Sequence, residues 1–264
     1  MLVADDTRQR SKAAARQQRI KARERFKRAH RAEKGFARQL KQVAKQVGSI
    51  VKGFAPSGYV SDWPVLNDAL KKYSDLLRPW ATAITARMIA EVGRRDETSW
   101  NELGRSMGQE LKKEIRNAPT GVQMREKLAE SVGLITSLPL EAAQRVHKLT
   151  LQGILNGTRA RETAKEILRT GEVTQSRAML IARTETTRTA TALVEARARH
   201  VGSIQYEWVT SNDSDVRPLH KALNGKIFSW DEPPIAGENG ERAHPGAIFN
   251  CRCHPSPILP SVIE

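Results

Sequence analysis

Apolar residues along the chain recur mainly at helical intervals. Phe36, Leu40, Val43 and Val47 follow the i, i+4, i+7, i+11 spacing of one helix face. The same period resumes at Leu66, Leu70, Tyr73 and Leu77 and continues past Pro79 through Trp80, Ile84, Met88 and Val92. A further helix is expected from Asp96 to Asn117, with Trp100, Leu103, Met107, Leu111 and Ile115 on one face, ended by Pro119. Pro139 is expected to open a helix that Gly157 closes. Residues 158–170 predict a short helix, and Thr174 is expected to cap a long one running to about His200. After Gly202 the period drops to two: Ile204, Tyr206 and Trp208 alternate with Gln205, Glu207 and Val209, which predicts a strand. A helical turn over 216–223 and a second short strand over 226–230, after the Asn224-Gly225 turn signal, complete the regular elements.

The pattern gives a mainly α protein with a small C-terminal α+β, loop-rich domain, an extended helical N-terminal arm and a helical middle. Four segments are expected: a basic helical arm over 1–47, a hinge over 48–64 marked by Gly48, Gly53, Pro56, Gly58 and Pro64, a helical bundle over 65–157, and a final domain over 158–264. That last domain is helical to about residue 202 and made of short strands and loops beyond. Aromatics make up 5% of the 264 residues, which argues against one large filled core.

Charge changes the picture at the N-terminus. Residues 1–47 contain fifteen Lys or Arg against four Asp or Glu, a net +11 out of +15 for the whole chain. Such a concentration implies an acidic partner, either nucleic acid or an acidic protein surface. The expected contacts are Arg16, Arg19, Lys21, Arg23, Arg25, Lys27, Arg28 and Arg31. With two aromatics before residue 47, contact with duplex DNA would be to phosphates and independent of base sequence. The alternative to an arm that orders on such a partner is a solvated arm, disordered when alone. No apolar run approaches the roughly 18 residues that span a bilayer. The polar start of the chain predicts a soluble protein made in the cytoplasm, with no membrane requirement.

Chemistry concentrates in residues 211–257, which hold three of the six histidines and both cysteines. His220, His244, Cys251 and Cys253 are a candidate tetrahedral zinc set, and a four-ligand site of that kind is structural. The spacing Cys-Arg-Cys is tighter than usual zinc-ligand pairs, so two other readings stay open: hydrogen-bonded imidazoles beside thiols packed as small apolar groups, and a redox or disulfide role. Asp213 and Asp215 around Ser214 predict an Asx turn with a carboxylate-guanidinium pair to Arg217. Arg183, Glu185 and Arg252 could tie the long helix to the loops, or lie on the surface. The chain contains no phosphate-binding glycine loop, no paired histidines around a glutamate, no Gly-x-Ser-x-Gly elbow and no zinc-deaminase pattern. An enzyme is therefore not expected.

The order Ala-Arg-Thr-Glu-Thr (182–186, with Arg183 and Glu185), Gly202, Trp208, Asp213, Asp215 and Arg217, His220, Leu223, Gly225, Phe228, then His244-Pro245-Gly246, Asn250-Cys251-Arg252-Cys253 and Pro257 resembles the C-terminal domain of phage Mu F-like minor head proteins, also called head-morphogenesis proteins. The resemblance covers about residues 150–260. It implies a low-copy structural protein of a tailed-phage head, bound to the portal near its vertex inside the head, acting in procapsid assembly and in DNA packaging or ejection. Portal, capsid or scaffold protein and packaged double-stranded DNA are the partners it implies. The same domain also occurs fused to toxins, so a free nucleic-acid-binding or toxin-delivery module is the alternative, and a metal-dependent enzyme a third.

Overall fold

A computed structural model of the chain describes residues 31–54, 63–104 and 117–260. The helices are α1 (31–54), α2 (Trp63–Gly104), α3 (Thr120–Leu155), α4 (Ala160–Leu168), α5 (Thr170–His200) and α6 (Pro218–Leu223). The strands are β1 (Gln205–Val209), β2 (Ile227–Ser229) and β3 (His254–Ile258). The mainly α class with a small C-terminal α+β region is therefore correct. No described helix is long and apolar enough to cross a membrane.

The described residues form two compact units, one drawn from 33–88 and 126–183, the other from 89–125 and 184–260. In the first, the stripe of Phe36, Leu40, Val43, Val47 and Val51 on α1 is buried, as its spacing predicts. Three elements meet this helix or one another through specific contacts. Gly48 and Gly171 bring α1 and α5 so close that a Cβ on Gly171 would lie 3.1 Å from the Gly48 Cα. Arg183 pairs with Glu33 at 3.4 Å, and Arg177 with Glu141 on α3 at 3.1 Å. The Ser74 hydroxyl of α2 donates to the Thr136 carbonyl of α3 at 2.6 Å.

Two prolines sit inside helices. Pro79 lies within α2, as the period continuing past it suggests, and the second helix expected from Asp96 is part of the same element as far as Gly104. Pro79 and Asp75, whose carbonyl loses its donor, are both exposed, so that carbonyl is open to solvent. Pro139 lies within α3 and does not open it. There the disturbed turn gains a donor from outside, the Ser74 hydroxyl. In both cases the buried stripe runs on either side of the proline, so packing holds a helix that local propensity would end. The expected hinge over 48–64 also needs correction: α1 continues through Gly48 and Gly53 to residue 54, α2 begins at Trp63, and residues 55–62 lie outside the described part. Thr174 is not a cap. Its hydroxyl donates back to the Thr170 carbonyl at 2.8 Å inside a helix that starts four residues earlier.

The second unit is built on the antiparallel sheet β2-β1-β3, with β1 central. Tyr206 and Trp208 on β1 are buried, and with Trp230, Trp100, Val194, Ala198, Leu223 and the two cysteines they form its core. Ile204, expected on the same face, stands just outside β1 and is 73% exposed. β3 was not foreseen, because its sequence His-Pro-Ser-Pro-Ile reads as a loop. Pro255 and Pro257 pair with Trp208 and Tyr206 from an edge position, where a missing N–H on the outer side costs no ladder bond.

Beside this core, Arg197 on α5 and Asp96 on α2 meet at 2.6 Å with both side chains 5% exposed. Removing one charge would strand the other away from water. Asp96→Ala is expected to lower unfolding free energy by about 3–5 kcal/mol, measured by urea denaturation, with Asp96→Asn losing less.

Candidate functional site

The loop that runs from Trp230 to Cys253 has little regular structure, yet Pro234, Ala236, Gly237, Pro245, Gly246, Cys251 and Cys253 in it are buried, so backbone groups there need partners. Part of the demand is met locally, by the Ile235–Arg242 bridge and by the Arg242 guanidinium donating to the Pro233 carbonyl at 3.0 Å. The rest is met by α5. The Thr191 hydroxyl donates to the Pro245 carbonyl at 2.8 Å, and Arg188 Nε donates to the Ala247 carbonyl at 2.7 Å. The Asn250 N–H in turn donates to the Thr184 hydroxyl at 3.1 Å. Thr184, Glu185, Thr186, Thr187 and Thr189 are all buried, so this stretch of α5 is enclosed on most sides, with Thr184, Arg188 and Thr191 meeting the loop. Glu185 supports it by pairing with Arg188 at 3.3 Å, and Arg188 lies 4.7 Å from the Phe249 ring centre.

The motif residues divide accordingly. Glu185 does take part in holding the loop, whereas Arg183 pairs with Glu33. The Asx turn is present, with the Asp215 N–H donating to Asp213 Oδ1 at 3.1 Å. Its guanidinium partner is Arg252, at 3.4 Å from Asp213 and 2.7 Å from Asp215, and not Arg217. Arg217 instead donates to the Phe249 carbonyl at 3.1 Å. Trp208 is in the core, Gly225 takes φ +79 with its N–H donating to the Trp208 carbonyl, and Asn250 takes φ +60, a left-handed turn that asparagine tolerates. Arg31 is exposed on α1; Arg16, Arg19, Lys21, Arg23, Arg25, Lys27 and Arg28 lie outside the described residues.

His220, Cys251 and Cys253 come together, with ligand atoms all within 4.8 Å of one another and each residue buried. His220 Nδ1 is 3.5 Å from Cys251 Sγ and 3.6 Å from Cys253 Sγ, and Nε2 is 3.0 Å from the Ala236 carbonyl. Both cysteines are free thiols. The hydrogen bond between the two sulfurs pulls the Cys251 thiol well below the usual range, with His220 assisting and burial opposing. The same contact pushes Cys253 up. His220 is raised, chiefly by its contact with Cys251.

His244 is not part of this cluster, which corrects the four-residue set expected from sequence. Its Nδ1 is 3.1 Å from the Tyr206 hydroxyl and its Nε2 is 3.8 Å from Glu195 on α5. Tyr206 and Glu195 are partners that the sequence reading missed. Tyr206 showed only as a core residue of β1, and nothing in local spacing joins residue 195 to 244. Burial, with Glu195 adding to it, pushes the Tyr206 phenol up, so it remains a hydrogen-bond donor. A nearby cleft of about 430 Å³ is lined by Arg188, Arg217, Glu238, Glu241 and Phe249 among others, and by none of His220, Cys251 or Cys253.

With the site in view, comparison with known proteins shows what the chain is similar to. The family described as Phage Mu protein F like protein matches residues 144–256, which span α5, the sheet, the loop and the Cys-Arg-Cys segment. Residues 144–256 are thus similar to the Mu F-like family. An uncharacterized protein of Haemophilus influenzae (strain ATCC 51907 / DSM 11121 / KW20 / Rd) is 29% identical over 248 residues, covering 87% of this chain and 54% of that one. The chain thus spans about half the length of that relative. Minor head protein GP7 of Bacillus phage SPP1 is 22% identical over 251 residues, 84% of this chain and 79% of that protein. No solved structure matches. The inward threonines, the His244-Pro245-Gly246 turn and the three-residue cluster all lie within the Mu F-like segment.

Two consequences are measurable. Gly246 has φ +84, and a Cβ there would lie 2.8 Å from Thr191 Oγ1 and 3.0 Å from the Cys253 carbonyl. Gly246→Ala should therefore cost at least about 1–2 kcal/mol, seen as a lowered thermal midpoint, while the same change at Gly35, where a Cβ would meet nothing within 4 Å, should not. Burial holds His244 below its ordinary value, against the pull of Glu195, with Arg199 adding to the lowering. Between the folded value and the unfolded one near 6.5, the unfolded chain binds a proton that the folded chain refuses. This contribution is full above the unfolded value and lost as pH falls through that window. His244→Gln should show a shallower loss of stability on acidification than the parent, read by denaturant titration at stepped pH.

Proposed function

We propose that this chain is a structural minor head protein of a tailed phage, bound at the portal during procapsid assembly, with its basic N-terminal residues directed at packaged DNA or an acidic face of the assembly. The observation that carries the reading is the Mu F-like match over residues 144–256, together with likeness to the SPP1 minor head protein over 84% of this chain. The inward-facing hydrogen bonds support it. Thr184, Arg188 and Thr191 spend their polar groups on the protein's own loop backbone, as a rigid architectural part requires. The net +11 of residues 1–47 supports the contact with polyanion.

The test is co-sedimentation. The full chain, produced with its phage's portal and scaffold proteins, should travel with portal rings or proheads and be missed from heads made without it. A chain that stays in the soluble fraction under all these conditions would argue for a free module instead. Contact with DNA has its own readout. If all eight cations from Arg16 to Arg31 engaged phosphates, the slope of log affinity against log salt would be about −7. The full chain should approach a steep slope of this kind, and removing residues 1–30 should flatten it; an unchanged slope would remove the DNA contact from the reading.

A further inference from the structure

His220, Cys251 and Cys253 serve no role in the reading above, yet they are among the most buried polar or sulfur-bearing side chains, at 2%, 3% and 2% exposure. Two further facts constrain what they do. His220 Nε2 faces the Ala236 carbonyl at 3.0 Å, an acceptor only, so Nε2 carries the proton and a neutral ring has its single lone pair on Nδ1. That lone pair faces two sulfurs at nearly equal distances, 3.5 and 3.6 Å. A hydrogen bond would select one sulfur, because one lone pair accepts one proton well. An ion held by all three atoms has no such preference.

We infer that His220 Nδ1, Cys251 Sγ and Cys253 Sγ hold a zinc ion that staples α6 to the Cys-Arg-Cys segment. The separations suit it. A sulfur at about 2.3 Å and an imidazole nitrogen at about 2.0–2.1 Å from a common tetrahedral centre are about 3.5–3.6 Å apart. The Ala236 carbonyl is the outer partner that fixes the ring and its tautomer, as a ligating histidine requires. The Cys253 N–H donates to Cys251 Sγ at 3.4 Å, which stabilises a thiolate there. Two thiolates and one divalent ion are neutral together, which removes the cost of burying the sulfur charge. Two thiolates with an imidazole favour zinc over magnesium or calcium, which take oxygen ligands. Three side chains leave one tetrahedral position to a small ligand such as water. The staple joins segments 31 and 33 residues apart across a loop with few regular elements.

The test uses the full chain without a purification tag. Expressed with zinc in the medium, it should carry about one zinc per chain by elemental analysis. After the metal is stripped by a chelator, Co2+ should develop a thiolate-to-metal charge-transfer band that saturates at about one equivalent. The band should fall in Cys251→Ser and Cys253→Ser, with weaker metal retention in His220→Ala. His244→Ala, outside the cluster, should keep the metal. The chain has two cysteines, so a thiolate band on the parent can come from nowhere else and is decisive even where a variant does not fold. A parent chain that carries no zinc and gives no band overturns the inference. So does a zinc content that Cys251→Ser and Cys253→Ser leave unchanged.

Discussion

The second unit rests on one constraint: a long, irregular stretch of backbone must be buried without leaving its amides and carbonyls unpaired. Helix α5 answers it with a face of short hydroxyl side chains. Threonine is an unusual choice for a buried helix face, since its hydroxyl competes for helical carbonyls and its β-branch restricts the rotamer. Here Thr184 and Thr191 point outward from the helix to the loop, while Thr187 and Thr189 bond back to their own helix. The loop can approach that closely because Gly246 has no side chain where Thr191 and the Cys253 carbonyl stand.

From this seam the rest of the Mu F-like segment follows. Holding residues 244–250 against α5 leads the chain into Cys251 and Cys253, and these meet His220. The Asx turn at 213–215 is drawn to the same segment through Arg252, and Arg217 reaches the Phe249 carbonyl. His244, held between Tyr206 and Glu195, fixes the start of the turn. Each contact is modest alone, but they share members, so the loop is specified by a network and not by apolar area. A geometry with this many mutual constraints suits a component that must present one fixed surface in an assembly.

The basic residues belong to a different physical regime. Attraction between such charges and a polyanion would be long-ranged, screened by salt and tolerant of geometry, whereas the loop network is short-ranged and directional.

Much was legible in the sequence. The buried stripe Phe36 to Val47, the presence of α4 and the C-terminal end of α5 near His200, β1 with Tyr206 and Trp208, and the left-handed Gly225 all follow from period or from backbone restriction, which act over a few residues. The order of motif residues from Ala182 to Pro257 also carried the resemblance to the Mu F-like family. What the tertiary structure decided were matters of partnership between distant residues. Helices run through Pro79 and Pro139 because packing on either side outweighs a local break. Two prolines form part of a strand because β3 is at an edge. Arg252 replaces Arg217 as the partner of Asp213 and Asp215, and His244 leaves the cysteines for Tyr206 and Glu195. Spacing along a chain reports which residues share a face; which charges and imidazoles then meet depends on how faces from segments dozens of residues apart are brought together.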